Sequence, residues 1–295
     1  MQYNNSSFFL SKLAAYFCPL IAISILAGAH PSFAAGAGAG IGLIGSGTAG
    51  ARTSTPDNAA SMLKRGLQYY RGQGVQQNYA KAMRWFRKAA GAASGEAMAR
   101  IGEMYERGFG VRKSYKEALK WFRKGIANAD GRAMNGIGDL YYNGWGVRQS
   151  YAAALIWYRK AAAAGSRDAM CAVGSFYEAN FPFLPVNYKK AMIWYRRAAA
   201  LGDITAMDLV GGLYEGGKGV PKNYVVAMAW YRDAAARGDG LAMIAVARLY
   251  LGGEGVVQST AKAVGWYRKA EASKSRPARL IARGMLKALQ HQPPR

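Results

Sequence analysis

Trp157-Tyr158-Arg159-Lys160-Ala161-Ala162 is the stretch that decides the architecture, because it returns along the chain as Trp85-Phe86-Arg87-Lys88-Ala89-Ala90 and as Trp194-Tyr195-Arg196-Arg197-Ala198-Ala199. Six tryptophans, Trp85, Trp121, Trp157, Trp194, Trp230 and Trp266, stand 36, 36, 37, 36 and 36 residues apart. Self-similarity at a fixed period of this length means one supersecondary unit stacked on its own copies, each burying its apolar face against its neighbours.

A second phrase precedes each Trp phrase. Ala97-Met98-Ala99-Arg100-Ile101-Gly102-Glu103-Met104-Tyr105 is echoed at 133–141, 169–177, 206–214 and 242–250, and its fixed positions fall at helical spacing. One of them is always small: Gly102, Gly138, Gly174, Gly211 and Ala247. Glycine inside a helix costs up to ~1 kcal/mol relative to alanine, so close approach of a neighbouring element is expected here, and Gly138→Leu is expected to disrupt packing. A glycine loop follows, as in Gly108-Phe109-Gly110-Val111 and Gly144-Trp145-Gly146-Val147, where glycine can take the positive φ that ends a helix. The second helix then begins near Tyr79, Tyr115, Tyr151, Tyr188 and Tyr224 and carries the Trp phrase. The reading is therefore all-α: about six helix pairs over residues 55–289, opened by Thr55-Pro56-Asp57 with Thr55 as N-cap, and a short tail over 290–295.

What precedes the array differs in kind. A polar start with one charge, Lys12, runs into the apolar stretch 13–28 and then Ser32-Phe33-Ala34. This reads as a signal peptide over 1–34 cleaved after Ala34, since the apolar stretch falls short of the ~20 residues that span a bilayer. The rival is an uncleaved anchor. Residues 35–54 are rich in Gly and Ala and read as a flexible linker. Cleavage removes Cys18 and His30 and leaves Cys171 and His291, too few for an internal disulfide, a metal cluster or a His-based nucleophilic triad. No catalytic residue and no cofactor are expected. A net charge of +24 favours anionic partners, but export argues for envelope glycans, lipids or proteins over nucleic acid. No Asn-x-Ser/Thr follows Ala34, so a bacterial envelope, periplasmic or secreted, is the simpler setting.

The pattern Ala…Gly-x-Leu-Tyr-x-x-Gly-x-Gly-Val…Ala-x-x-Trp-Tyr-Arg-Lys-Ala-Ala resembles Sel1-like repeats, relatives of the tetratricopeptide repeat, over about residues 58–289. The resemblance implies a right-handed α-solenoid with the Gly/Tyr helix of each pair lining a concave side, and an adaptor for other proteins. Three departures stand out. The fourth repeat replaces its glycine loop with Asn180-Phe181-Pro182-Phe183-Leu184-Pro185-Val186. The opening helix places Arg65 and Gln68 where later copies are apolar. The last Trp helix starts at Thr260 in place of Tyr.

Three constellations are candidates for function. The residue two after every Trp is arginine: Arg87, Arg123, Arg159, Arg196, Arg232 and Arg268. Stacking would align them into a polyanion-binding strip, or they belong to the repeat and pack their stems along the helices. The variable positions of the Gly/Tyr helix form a stripe, Ala99-Glu103-Glu106, Asn135-Asp139-Tyr142, Cys171-Ser175-Glu178, Asp208-Gly212-Glu215 and Ile244-Arg248-Leu251. It holds six of the sixteen carboxylates and, by the resemblance, faces the groove, where Glu103, Asp139, Glu178 and Asp208 could receive a basic or polar segment or stand as ordinary solvated charge. The middle residue of the glycine loops is aromatic in three successive repeats, Phe109, Trp145 and Phe181. These rings either anchor a partner or fold over the repeats. Cys171 is either a redox-sensitive thiol or a small wall residue, and Glu103 with Glu106 offers only a weak carboxylate-pair reading.

The expected function is an exported, non-enzymatic scaffold that binds an envelope or secreted protein. The alternatives are a polyanion or cell-surface binder using the basic face, a host-directed effector, and a β-lactam-interacting enzyme. Some proteins with similar repeats are of that last kind, but they are rich in paired cysteines, which this chain lacks.

Overall fold

The computed structural model describes residues 58–128 and 130–290; the expected leader and linker, Thr55-Pro56-Asp57 and the tail from His291 lie outside the described residues. Thirteen helices run through the described residues: α1 (Ala59–Arg71), α2 (Tyr79–Gly91), α3 (Gly95–Arg107), α4 (Tyr115–Ile126), α5 (Gly131–Asn143), α6 (Tyr151–Ala163), α7 (Arg167–Glu178), α8 (Tyr188–Ala200), α9 (Ile204–Gly216), α10 (Tyr224–Ala236), α11 (Gly240–Gly252), α12 (Thr260–Glu271) and α13 (Arg276–Gln290). Odd-numbered helices carry the Gly/Tyr phrase (A helices) and even-numbered ones the Trp phrase (B helices), except that α13 stands after the last B helix. No strand occurs among the described residues; the fourth repeat's altered loop closes instead with a single antiparallel bridge between Phe181 and Leu184.

Local chemistry sets each helix. Every B helix starts directly after an Asn or Ser whose side chain accepts a backbone N–H three residues on: Asn78, Ser114, Ser150, Asn187, Asn223 and Ser259. The A helices do the same with Ser94, Ser166, Asp203 and Asp239, and α1 with Asn58. Each such cap stabilises its helix by about 1 kcal/mol. At the other end of α3, Gly108 adopts φ 75°, its N–H donating to the Met104 carbonyl.

The chain divides into two compact units between Ala133 and Met134. In the first, α1 packs on α2, α2 on α3 and α3 on α4, around Ala82, Met83, Phe86, Ile101 and Met104. In the second, each helix from α6 to α13 packs on the next, and one core of alanines, methionines and tyrosines extends from Ala161 to Ala282.

One contact recurs in both units. The residue after each Trp is an aromatic whose ring lies flat against the small residue of its paired A helix. A Cβ added to Gly102 would come within 2.5 Å of the Phe122 ring, and one added to Gly138 within 2.6 Å of the Tyr158 ring; Gly66 meets Phe86, Gly174 meets Tyr195 and Gly211 meets Tyr231 in the same way. Phe86, Phe122, Tyr158 and Tyr195 are fully buried as a result. Burying such a ring contributes about 1.5–3 kcal/mol, more than the ~1 kcal/mol that a helical glycine costs.

This packing reverses the ordinary helix propensity. Gly174→Ala should lower the stability of the second unit by about 1–3 kcal/mol, the usual cost of overpacking, although alanine is the better helix former. Thermal denaturation followed by circular dichroism reads this directly, and an unchanged or raised midpoint would mean that the ring does not depend on the glycine.

Candidate functional site

The arginine ladder is largely engaged within the fold. Arg87 donates to the Tyr105 hydroxyl at 3.1 Å and Arg159 to that of Tyr177 at 2.8 Å. Arg196 and Arg232 reach Tyr214 and Tyr250 in the same way. Each bond runs from a B helix to the tyrosine of the next A helix. Arg123 and Arg268 lie at the surface. Five ladder residues are followed by a second base, and each lies over its own tryptophan: Lys88 on Trp85 at 4.6 Å, Lys124 on Trp121 at 4.5 Å, Lys160 on Trp157 at 4.6 Å, Arg197 on Trp194 at 5.1 Å and Lys269 on Trp266 at 4.2 Å; Arg232 is followed by Asp233. These cations therefore lock repeats together and cover indole faces while keeping their charge at the surface.

The loop aromatics also turn inward. Phe109 stacks on Tyr79 with ring centroids 4.8 Å apart and lies 6.2 Å from Tyr70, so it covers the preceding repeat. Phe181 stacks on Phe176 at 4.8 Å and lies 5.0 Å from Tyr151. Trp145 is half-buried, with its backbone N–H bonded to the Leu140 carbonyl at 2.9 Å. In the fourth repeat the ring left outside is Phe183, 45% exposed and stacked on Phe181.

The carboxylate stripe differs between the two units. In the first, Glu103 is held by Arg100 at 3.1 Å and Arg132 at 3.4 Å. Burial works to raise its pKa, but Arg100, Arg132 and Arg107 together hold it below the usual carboxylate value. Glu106 is buried. Glu103 is thus ion-paired on both sides.

In the second unit the stripe acids are held by phenols instead. The Tyr158 hydroxyl donates to Asp139 at 2.7 Å, Tyr195 to Glu178 at 2.6 Å and Tyr231 to Glu215 at 2.6 Å. Ser175 shares the Tyr195 hydroxyl at 3.2 Å, and Asn135 donates to Asp139 at 3.1 Å. Burial, then the Glu178 charge, push the Tyr195 phenol well above its ordinary value, so it remains a donor throughout the physiological range. Charge-assisted bonds of this kind fix the carboxylates in place without cancelling their charge. Glu178 makes no ion pair among the described residues, whereas Glu215 also takes Arg248. Sequence reasoning missed the tyrosine hydroxyls, although a signal was present. The residue after Trp is phenylalanine in the first two repeats and tyrosine in the last four, so the hydroxyl arrives with the third repeat, where Asp139 stands.

Two further side chains belong to this face. Cys171 is buried, its thiol 3.6 Å from the Asp203 carboxylate, and burial with the charges of Asp203 and Asp168 pushes it well above the ordinary thiol range. That removes the reactive-thiol reading, since the thiolate is the reactive form. One repeat on, Asp208 occupies the place of Cys171 and the N-cap Asp239 that of Asp203. Asp208 is half-buried and makes no hydrogen bond or ion pair with the described residues. Burial first, then Asp239 and Glu215, raise it to about 7 against the pull of Arg248. Asp239 is raised as well, chiefly by burial. No group of three His, Cys, Asp or Glu among the described residues is placed to hold a metal ion.

Stacked helix pairs define an α-solenoid. The Sel1 repeat family model matches residues 59–93, 95–130, 131–166, 167–203, 204–239 and 240–274, and the chain belongs to the Sel1 repeat family. Proteins of this family generally act as protein-interaction scaffolds. Among solved structures, a Sel1 repeat protein from Oxalobacter formigenes is similar at 32% identity and a TM-score of 0.68, over 75% of this chain and 91% of that one. A protective antigen present in uropathogenic Escherichia coli strains, c5321, which displays an SLR fold, is similar at 27% identity and a TM-score of 0.62 over 80% of this chain, which spans 50% of that protein's length. No curated protein matches the chain.

The Asp208 proton gives a testable pH signature. An unfolded aspartate titrates near ~3.9, so between about pH 4 and 7 the folded chain holds a proton that the unfolded chain has released. The contribution to stability is present at the acid side and is lost as pH rises through about 7. Asp208→Asn should therefore raise the melting temperature relative to wild type at pH 8 and keep only the smaller part of that advantage at pH 5. Equal shifts at both pH values would contradict the raised pKa.

Proposed function

We propose that this chain is an exported adaptor that binds a protein partner along the A-helix face of its second unit, with the carboxylates of Asp139 and Glu178 receiving cationic or donor groups of a partner segment. The observation that carries this reading is the repeated phenol–carboxylate pair: Tyr158–Asp139, Tyr195–Glu178 and Tyr231–Glu215. Three carboxylates held in fixed orientation on successive A helices cost a partner little ordering at the contact, which is how preorganisation raises affinity. Asp208 adds a fourth acceptor that gains most from a cation, because its own neighbours Asp239 and Glu215 repel its charge. Around this face the chain carries +24, so the acidic stripe selects orientation against a basic background.

Export rests on the sequence: Lys12, the apolar stretch 13–28 and Ser32-Phe33-Ala34 read as a signal peptide with cleavage after Ala34, ahead of a linker over 35–54, the repeats from 55 to 289 and a tail over 290–295. No helix among the described residues is long and apolar enough to cross a membrane. We place the contact on the stripe in preference to the other two constellations, a reading supported by the bonds of Arg87 and Arg159 to tyrosines and by the stacking of Phe109 and Phe181 on neighbouring rings.

Affinity capture from the native envelope with mass spectrometry tests this reading. Asp139→Asn combined with Glu178→Gln keeps both side chains isosteric and should lose one protein selectively, at least ~10-fold in recovery, a change of about 1.4 kcal/mol. Phe109→Ala, as the control, should lower stability in the first unit and leave capture by the second intact. Undiminished capture by the double variant would contradict the stripe as the contact.

A further inference from the structure

The outer side of the B helices changes character between the two units. The residue before Trp is Arg84 in α2 and Lys120 in α4, but Ile156 in α6 and Ile193 in α8. One turn earlier, Lys116 of α4 gives way to Ala152 in α6 and Val225 in α10, with Lys189 between them in α8. These positions face solvent: Arg84, Lys116 and Lys120 are exposed, and so are Ile156 at 54%, Ile193 at 52% and Val225 at 63%. A single exposed aliphatic side chain is ordinary. Three of them on successive B helices form one feature, because like repeats in a stack turn equivalent positions the same way. The helices that carry them are also unusual as surface helices. α6 buries Ala154, Leu155 and Tyr158 on its inner side and exposes Ala152, Ile156 and Ala163 on the other, and its charge is confined to Arg159 and Lys160. α10 repeats this, with its charge confined to Arg232 and Asp233. A helix that is apolar all round is one that is covered on both sides.

The charges that border these side chains name the outer cover. α8 carries Lys189, Lys190, Arg196 and Arg197, α6 carries Arg159 and Lys160, and neither helix contains an acidic residue. The one carboxylate of α10, Asp233, is paired with Arg237 at 3.3 Å. Lys160 and Arg197 lie over the half-buried Trp157 and Trp194 and remain exposed. Aliphatic side chains standing among indoles and long cationic arms suit the headgroup layer of a bilayer: the apolar atoms enter the acyl boundary while Lys and Arg reach the phosphates. A second copy presenting the same face would set cation against cation. A protein interface is anchored by aromatic side chains in desolvated pockets, whereas this face offers alanines and short aliphatics. We infer that the outer face of α6, α8 and α10 seats the second unit on an anionic phospholipid bilayer, with Ile156, Ile193 and Val225 entering the headgroup boundary. This face belongs to the B helices and the stripe of Asp139 and Glu178 to the A helices, so the inference and the proposed function stand or fall separately.

The experiment uses the intact chain and vesicles of phosphatidylcholine with or without phosphatidylglycerol, read by co-sedimentation. The chain should bind the vesicles that contain phosphatidylglycerol. Because a basic chain adsorbs to any anionic surface, the triple variant Ile156→Ser, Ile193→Ser, Val225→Ser, which leaves the charge unchanged, carries the decision. It should bind these vesicles at least ~10-fold more weakly, with its helicity by circular dichroism unchanged. Lys160→Glu with Arg197→Glu should weaken binding more than Arg84→Glu with Lys120→Glu, an equal change of charge on the outer side of the first unit. Equal binding by wild type and the triple variant would mean adsorption by net charge or attachment through the apolar stretch 13–28, and would overturn the inference. Equal effects of the two charge reversals would overturn it as well. So would a failure to bind vesicles, or a self-associated chain that becomes monomeric in the triple variant, which would make a second copy the occupant.

Discussion

The contact on which this molecule depends is an aromatic ring lying on a glycine. A glycine inside a helix is a local cost, and a fully buried aromatic ring is a local gain; only their juxtaposition, repeated through the chain, makes both worthwhile. The glycine lets the B helix approach its A helix closely enough for the ring to be sealed, as at Gly102 with Phe122 and Gly138 with Tyr158. The sixth repeat reaches the same end with Ala247 and Tyr267, both buried, so the requirement is a fitted pair and not glycine as such. Once the ring is placed, the Trp beside it, the Arg two residues after that Trp and the Ala pair take fixed positions, and the arginine can reach the tyrosine of the next A helix.

The same ring links packing to the polar stripe. Where it is phenylalanine, as in Phe86 and Phe122, it ends in the core. Where it is Tyr158, Tyr195 or Tyr231, its hydroxyl meets a carboxylate of the A-helix stripe. One added oxygen per repeat turns an interior residue into a positioning device for a surface charge. The first unit solves the same electrostatic problem with guanidiniums around Glu103, which consumes the charge. In the second, Glu178 is held among the described residues by a phenol alone, while Glu215 also takes Arg248.

Much of this is legible in the chain alone, and the limits are physical. The 36-residue period, the helix starts at Tyr79, Tyr115, Tyr151, Tyr188 and Tyr224 and the need for close approach at Gly138 all follow from residue type and spacing, because they are local. Start signals such as Asn78 and Ser114 are equally local and legible. Side-chain direction is different. Nothing in the spacing of Phe109 and Phe181 tells whether a ring faces solvent or a neighbouring tyrosine, and they face tyrosines and phenylalanines. Arg196 and Arg232 likewise find hydroxyls eighteen residues away that one-dimensional reading cannot weigh against a ladder of free charge. The stripe is visible as a set of positions. The difference between a neutralised and an available carboxylate on it is not, because that depends on which cations and phenols the fold brings alongside.

The central claim is that the A-helix face of the second unit is where a partner binds. Its most direct measurement is site-specific photo-crosslinking, with the crosslinker placed in turn at Ser175 on the stripe and at Ile193 on the outer face of α8, in cells that express the intact chain. A partner seated on the stripe gives a discrete protein adduct from Ser175 and none from Ile193, which is the expected result. Adducts from Ile193 alone would place the partner on the outer face and contradict it.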